Sequence, residues 1–271
     1  MSNKLDLYRG SDVHITDKII VKQPTIDEIR KFGDIKYFGA INTLCGTGAD
    51  FKFQLWQNGI DYTTISDYDL FLIYISKILG SKRSYVKNLM NSENEKDKEE
   101  YEKFTVEDIK NLTLNPLGLV LNIDLDNFEL QKDELVLYDK VNDIKIDKVV
   151  YANIVNTIRQ IHNLKRNNEM PANERTKMDM IQDAEDEYYA NLYSNNDDKD
   201  ILLPLVSTLC NNGTGYNWFN VWDLKVNAFF DCIARDGIIQ EANLILQGAY
   251  SGFGSTKGIS KERLNKFRSA N

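Results

Sequence analysis

Two histidines, three cysteines and four prolines are all that 271 residues contain, and each scarcity removes a class of chemistry. His14 and His162 are in no H-E-x-x-H or comparable spacing, so a histidine-based zinc site would be short of ligands. Cys45, Cys210 and Cys232 lie far apart, are odd in number and form no C-x-x-C, which suits reduced thiols in a cytosol rather than a disulfide framework. No motif pairs a cysteine with a histidine and no G-x-S-x-G occurs, so buried structural thiols are the better reading. No apolar run approaches the roughly 18–20 residues that span a bilayer, and the opening "MSNKLDLYRG" has no apolar signal region. A soluble protein without an export signal is expected. Cations are scarce too: 33 Lys and Arg against 41 Asp and Glu leave a net charge of −8, which argues against duplex nucleic acid as a partner.

What is present is ordinary globular material, 42% apolar and 27% charged, in a chain long enough to bury roughly 70–75% of its unfolded surface. The patterning predicts a mainly helical α+β protein with an N-terminal β-hairpin and a short antiparallel meander. "DVHITDKIIVKQP" alternates around a Thr16-Asp17-Lys18 turn and reads as the hairpin, ended by Pro24. Thr25-Ile26-Asp27-Glu28 is a capping box that starts a helix. Ser66 reads as the N-cap of the next, with Ile65 and Leu70 at the spacing of a hydrophobic staple. Residues 70–79 are apolar nearly all round, so that helix is expected to be central.

The stretch "NSENEKDKEE" (91–100) has no apolar residue and marks a boundary, dividing the chain into 1–90, 91–147 and 148–271. Within the middle region "LGLVLNIDL", "ELVLYD" and "DIKID" read as three strands between 117 and 147. Val150, Ile154, Ile158 and Ile161 then recur at helical spacing, and Pro171 interrupts. Trp218, Trp222, Val226, Phe229 and Ile233 read as one stripe of a later helix, with Asp223, Asn227, Asp231 and Arg235 on another face. Five cations and one anion between Lys257 and Asn271 read as a basic, solvated end of the chain.

The glycine-rich "GAYSGFGSTKG" (248–258) invites a phosphate-loop reading and fails it. Lys257 precedes Gly258 where a Walker loop needs Gly-Lys-Ser/Thr, and the dinucleotide fingerprint begun at Gly252 meets Lys257 where it needs glycine. The stretch reads instead as a helix end capped in the left-handed region by Gly248 or Gly252. Asp179, Asp183, Asp186 and Glu187 share one side of a helix and read as a solvated face, with a divalent cation as the alternative. "NIDLDNFELQKDE" matches a calcium loop only at Asp124 and Asp126. The tryptophans read as core. Phe219, off the main stripe, and Tyr250 and Phe253, in the glycine-rich stretch, are the candidates for a partner surface.

Five stretches, in order across almost the whole chain, carry a resemblance: "VKQPTIDEIRKFG", "FQLWQNGIDYTTISDYDLF", "IHNLKRNNEMPANERTKM", "VWDLKVNAFFD" and "LQGAYSGFG". The chain resembles the tail assembly chaperone-like proteins of tailed phages of low-GC Gram-positive bacteria, encoded near the tape measure gene. None of these motifs is catalytic. The resemblance implies a non-enzymatic protein of the host cytoplasm, needing no cofactor, that binds the tape measure protein and meets the tail tube protein during assembly. A permanent tail or baseplate component is the alternative, an enzyme using the 179–187 carboxylates a third reading, and self-association is left open.

Overall fold

The structure, a computed structural model, describes residues 4–77, 115–123, 127–131, 133–193, 200–212, 215–251 and 257–268. The 91–100 stretch, Ile78, Leu79, Asp124, Asp126, Gly252 and Phe253 lie outside the described residues. The architecture is α+β. After α1 (Lys4–Tyr8) come the paired strands β1 (Val13–His14) and β2 (Ile20–Val21), then α2 (Ile26–Phe32) and α3 (Asp34–Cys45). A 3-10 turn (Gly48–Phe51) leads into α4 (Lys52–Gln57), and α5 occupies 67–77. Then follow α6 (Asn115–Val120), the meander β3 (Phe128–Gln131), β4 (Val136–Asp139) and β5 (Ile144–Ile146), and α7 (Lys148–Ile161). Four more helices close the chain: α8 (Glu174–Tyr193), α9 (Leu202–Asn211), α10 (Val226–Tyr250) and α11 (Lys261–Leu264).

Local chemistry explains most starts. The Thr25 hydroxyl accepts from the Glu28 amide at 3.2 Å while the Glu28 carboxylate accepts from the Thr25 amide at 2.6 Å, closing the expected box. Ser66 Oγ accepts from the Asp69 amide at 3.1 Å, and Ile65 packs into the same cluster as Leu70. Asp147 caps α7 by accepting from the amides of Val149 and Val150.

One buried cluster runs from Leu7 through the hairpin, α2, α3, α5, the meander and α7 to Phe229 on α10. Backbone bonds knit its distant parts: Lys22 N donates to Val120 O and Asn122 N to Ile20 O, while Ile26 N donates to Leu224 O and Val226 N to Pro24 O.

Four expectations are corrected. "LGLVLN" contributes to helix α6, not to a strand, and the first meander strand is "FELQ". Pro116 stands in the first turn of that helix, where a missing N–H is tolerated. Trp218 and Trp222 precede α10 instead of lying along it. The Asn217 amide donates to Asn220 Oδ1 and the Phe219 amide to Asn217 Oδ1, local bonds that compete with a helix. Gly248 lies inside α10, whose C-cap is Ser251 at φ −74° in the right-handed region, so Gly248 is not the cap, and Gly252 is outside the described residues. The basic C-terminal stretch docks on α10, where Arg263 and Arg268 both pair with Glu241 and the Arg235 guanidinium donates to the carbonyls of Lys266 and Arg268.

Candidate partner-binding surface

An apolar groove with charged walls lies between α4 and α8. Its α4 wall begins at the 3-10 turn, where Thr47 N and Oγ1 both donate to Asp50 Oδ2, at 2.8 and 2.9 Å. Gly48 is required there, because a Cβ would sit 2.1 Å from the Tyr62 carbonyl oxygen. Helix α4 stops in a Schellman motif: Ile60 N donates to Leu55 O and Gly59 N to Trp56 O, both at 2.9 Å, with Gly59 at φ +68°. Ile60 and Leu55 pack together beneath it.

The α8 wall is fixed by charge. Residues 162–170 are clamped to the start of α5 and to the α3–α4 corner: Arg166 forks onto Asp67 at 2.8 and 2.9 Å, Asn167 donates to Asp50 at 2.8 Å, and Lys52 pairs with Glu169. Arg159 donates to the Cys45 carbonyl at 2.6 Å, and Asp67, although burial opposes its charge, is held below the usual carboxylate range by Arg166 and Arg159. Asn173 then caps α8 by accepting from the Thr176 amide at 2.9 Å. One turn on, Lys177 reaches Asp61 at 2.7 Å and pulls that carboxyl down to about 2, helped by the Thr63 amide and hydroxyl. Two of the stretches that carry the family resemblance therefore meet here, at Asp67 with Arg166 and at Asp61 with Lys177.

Between these walls lies a groove of about 690 Å³ lined by Phe53, Trp56, Tyr62, Lys177, Ile181 and Glu185 among others. Helix α8 has 20 residues, roughly 30 Å, whereas α4 has six, roughly 9 Å. Only Lys177 and Ile181 of α8 are buried. The stripe they begin continues at helical spacing through half-buried Ala184 to Tyr188 and Leu192, which are exposed. Phe53 lies 5.4 Å from the Tyr188 ring and 5.8 Å from Tyr189, and Tyr189 stacks on Tyr193 at 6.2 Å. Tyr193 is 79% exposed and Leu192 61%.

The residues singled out from sequence do not form this surface. Phe219 is 92% exposed and Tyr250 87%, but Phe219 precedes α10, Tyr250 ends it, and neither lines the groove. Phe253 is outside the described residues. Asp179, Asp183, Asp186 and Glu187 do lie on exposed positions of α8, and among the described residues no group of three or more His, Cys, Asp or Glu is placed to hold a metal ion. His162 is fully in the core, its Nε2 2.7 Å from the Tyr37 hydroxyl and its Nδ1 2.8 Å from the Ile158 carbonyl. Cys45 is buried, its thiol pushed up to about 12 by desolvation, while Cys210 and Cys232 are half-buried and all three are free. The tyrosine stripe escaped the sequence reading because six carboxylates surround it. Its signal was Ile181, Ala184, Tyr188 and Leu192 at intervals of three and four.

Among the described residues no helix is long and apolar enough to cross a membrane. No family model matches the chain, and no curated protein or solved structure matches it.

Proposed function

We propose that this chain is a non-enzymatic assembly chaperone of a tailed phage, which binds and solubilises the tape measure protein in the host cytoplasm until tail tube subunits enclose it. The observation that carries the reading is the second half of α8: a tyrosine-bearing stripe tethered at its base by Lys177–Asp61, touched by Phe53, and still exposed at Tyr188, Tyr189, Leu192 and Tyr193. A tape measure protein is long and helical, and before the tube closes its apolar stripes face water and are prone to aggregate. Helix-in-groove contact covers such stripes, and a net charge of −8 keeps the complex dispersed. Tyrosine suits a transient contact, since it offers large area for few rotors and a hydroxyl that tolerates water. No bond is made or broken and no cofactor is called for.

Co-expression with the neighbouring tape measure protein, followed by size exclusion, tests the reading. The tape measure protein should stay soluble and co-elute only when this chain is present; equal solubility without it would remove the proposal. An assembly factor leaves as the tube closes, so mass spectrometry of purified particles should find this chain depleted. Recovery at a fixed ratio to tube protein would make it a virion component instead.

A further inference from the structure

The uncovered part of α8 has a charge as well as a shape. Helix α8 carries six carboxylates against two cations, Arg175 and Lys177. Lys177 is already engaged by Asp61 at 2.7 Å and faces Glu174 at 3.7 Å, so it offers no free positive charge to the groove. Glu185 lines the groove itself, and Asp183, Asp186 and Glu187 stand exposed beside Tyr188 and Tyr189. A second copy of this helix would bring carboxylate against carboxylate, and like charges across an interface are strongly unfavourable. The chain's own basic C-terminal stretch is committed elsewhere, with Arg263 and Arg268 paired to Glu241 on α10.

We infer that the α4/α8 groove receives a helix of another protein whose apolar stripe is flanked by lysine or arginine. This rests on the reading of the groove as the chaperone's partner site and adds the partner's charge. Apolar side chains at i, i+3, i+4 and i+7 settle between Trp56, Tyr189 and Leu192, while the flanking cations reach Glu185 and Asp186 and the tyrosine faces. From Ile181, buried at the base of the groove, to exposed Leu192 the stripe spans roughly 16 Å, the length of about three turns of partner helix. Cationic flanks also give steering that weakens with salt.

The test is calorimetric titration of the full chain with two designed amphipathic peptides of about five helical turns, identical in leucine pattern and differing in lysine or glutamate elsewhere. The Leu/Lys peptide should bind one to one and roughly tenfold or more tighter than the Leu/Glu peptide, the gap narrowing at high salt. Glu185→Lys and Tyr189→Ser should each weaken it by roughly tenfold, whereas Phe219→Ser, an exposed position that does not line the groove, should leave it unchanged. Melting temperatures within a few degrees of the parent would show that both variants fold. Equal binding of the two peptides, with Tyr189→Ser still harmful, overturns the cationic partner and leaves the groove as the chaperone surface. Binding indifferent to both groove variants overturns the proposal and moves any chaperone contact off α8. A tape measure protein that needs no solubilising, with the charge preference intact at the groove, overturns the chaperone reading alone.

Discussion

In the core, Tyr37, Phe38, His162 and Phe230 meet ring to ring, with centroids 5.4 to 6.1 Å apart; along α8, Phe53, Tyr188, Tyr189 and Tyr193 do the same at 5.4 to 6.2 Å. The ring geometry is shared, but the polar atoms differ. Tyr37 donates its hydroxyl proton to His162 Nε2, and Nδ1–H donates to the Ile158 carbonyl, so the neutral imidazole is fully satisfied and burial holds its pKa down at about 4. The hydroxyls of Tyr188, Tyr189 and Tyr193 have no protein partner among the described residues. Aromatic rings whose polar ends are used up inside the protein are structural. Rings whose polar ends remain open are available to another molecule.

Truncation should separate the two clusters most sharply. Phe229 is wholly buried beside Phe230, so Phe229→Ala is expected to cost about 3–5 kcal/mol in denaturant unfolding, against less than about 1 kcal/mol for Tyr189→Ala. Equal losses would erase the distinction.

Acid should act on the core first. His162 stays neutral in the fold to about 4 and takes its proton near 6.5 when unfolded, so its contribution is whole above about 6.5 and is lost as pH falls towards 4, at most roughly 3 kcal/mol. Asp61 is depressed to about 2, so the tether at the base of α8 is lost only below the ordinary carboxylate range, between about 4 and 2. Stability measured across pH 7 to 4 should therefore fall in the parent and fall less in His162→Gln.

A backbone substitution probes the groove wall. Gly48→Ala drives a Cβ onto the Tyr62 carbonyl and should destabilise by about 1–3 kcal/mol, with amide exchange rising first around 47–62. The smallest effect is expected of Lys177→Ala: faster exchange along 174–193 with the α7 and α10 cores unchanged, read by hydrogen-exchange mass spectrometry.

Sequence reached the parts of this fold that local chemistry decides. The Thr25 box, the Ser66 cap and the steps of the α7 stripe depend on residues within four positions of each other, and the 13–21 hairpin on residues within eight. Reading failed where two local preferences compete. "LGLVLN" is equally good as strand or helix by apolar run, and Trp218 to Phe229 has helical spacing broken by asparagine turns. The groove was illegible for another reason. Its walls are 52–62 and 177–193, joined through Asp61–Lys177 across 116 positions, and only the folded chain brings that pair within 2.7 Å.

The central claim is that the α4/α8 groove, rather than any reacting site, is the working surface. Hydrogen exchange on the chain alone and mixed with a tape measure protein, the proposed partner, addresses it most directly. Slowed exchange concentrated in 52–62 and 177–193 is the expected result; unchanged exchange there, with protection appearing around Phe219 or Tyr250 instead, would contradict it.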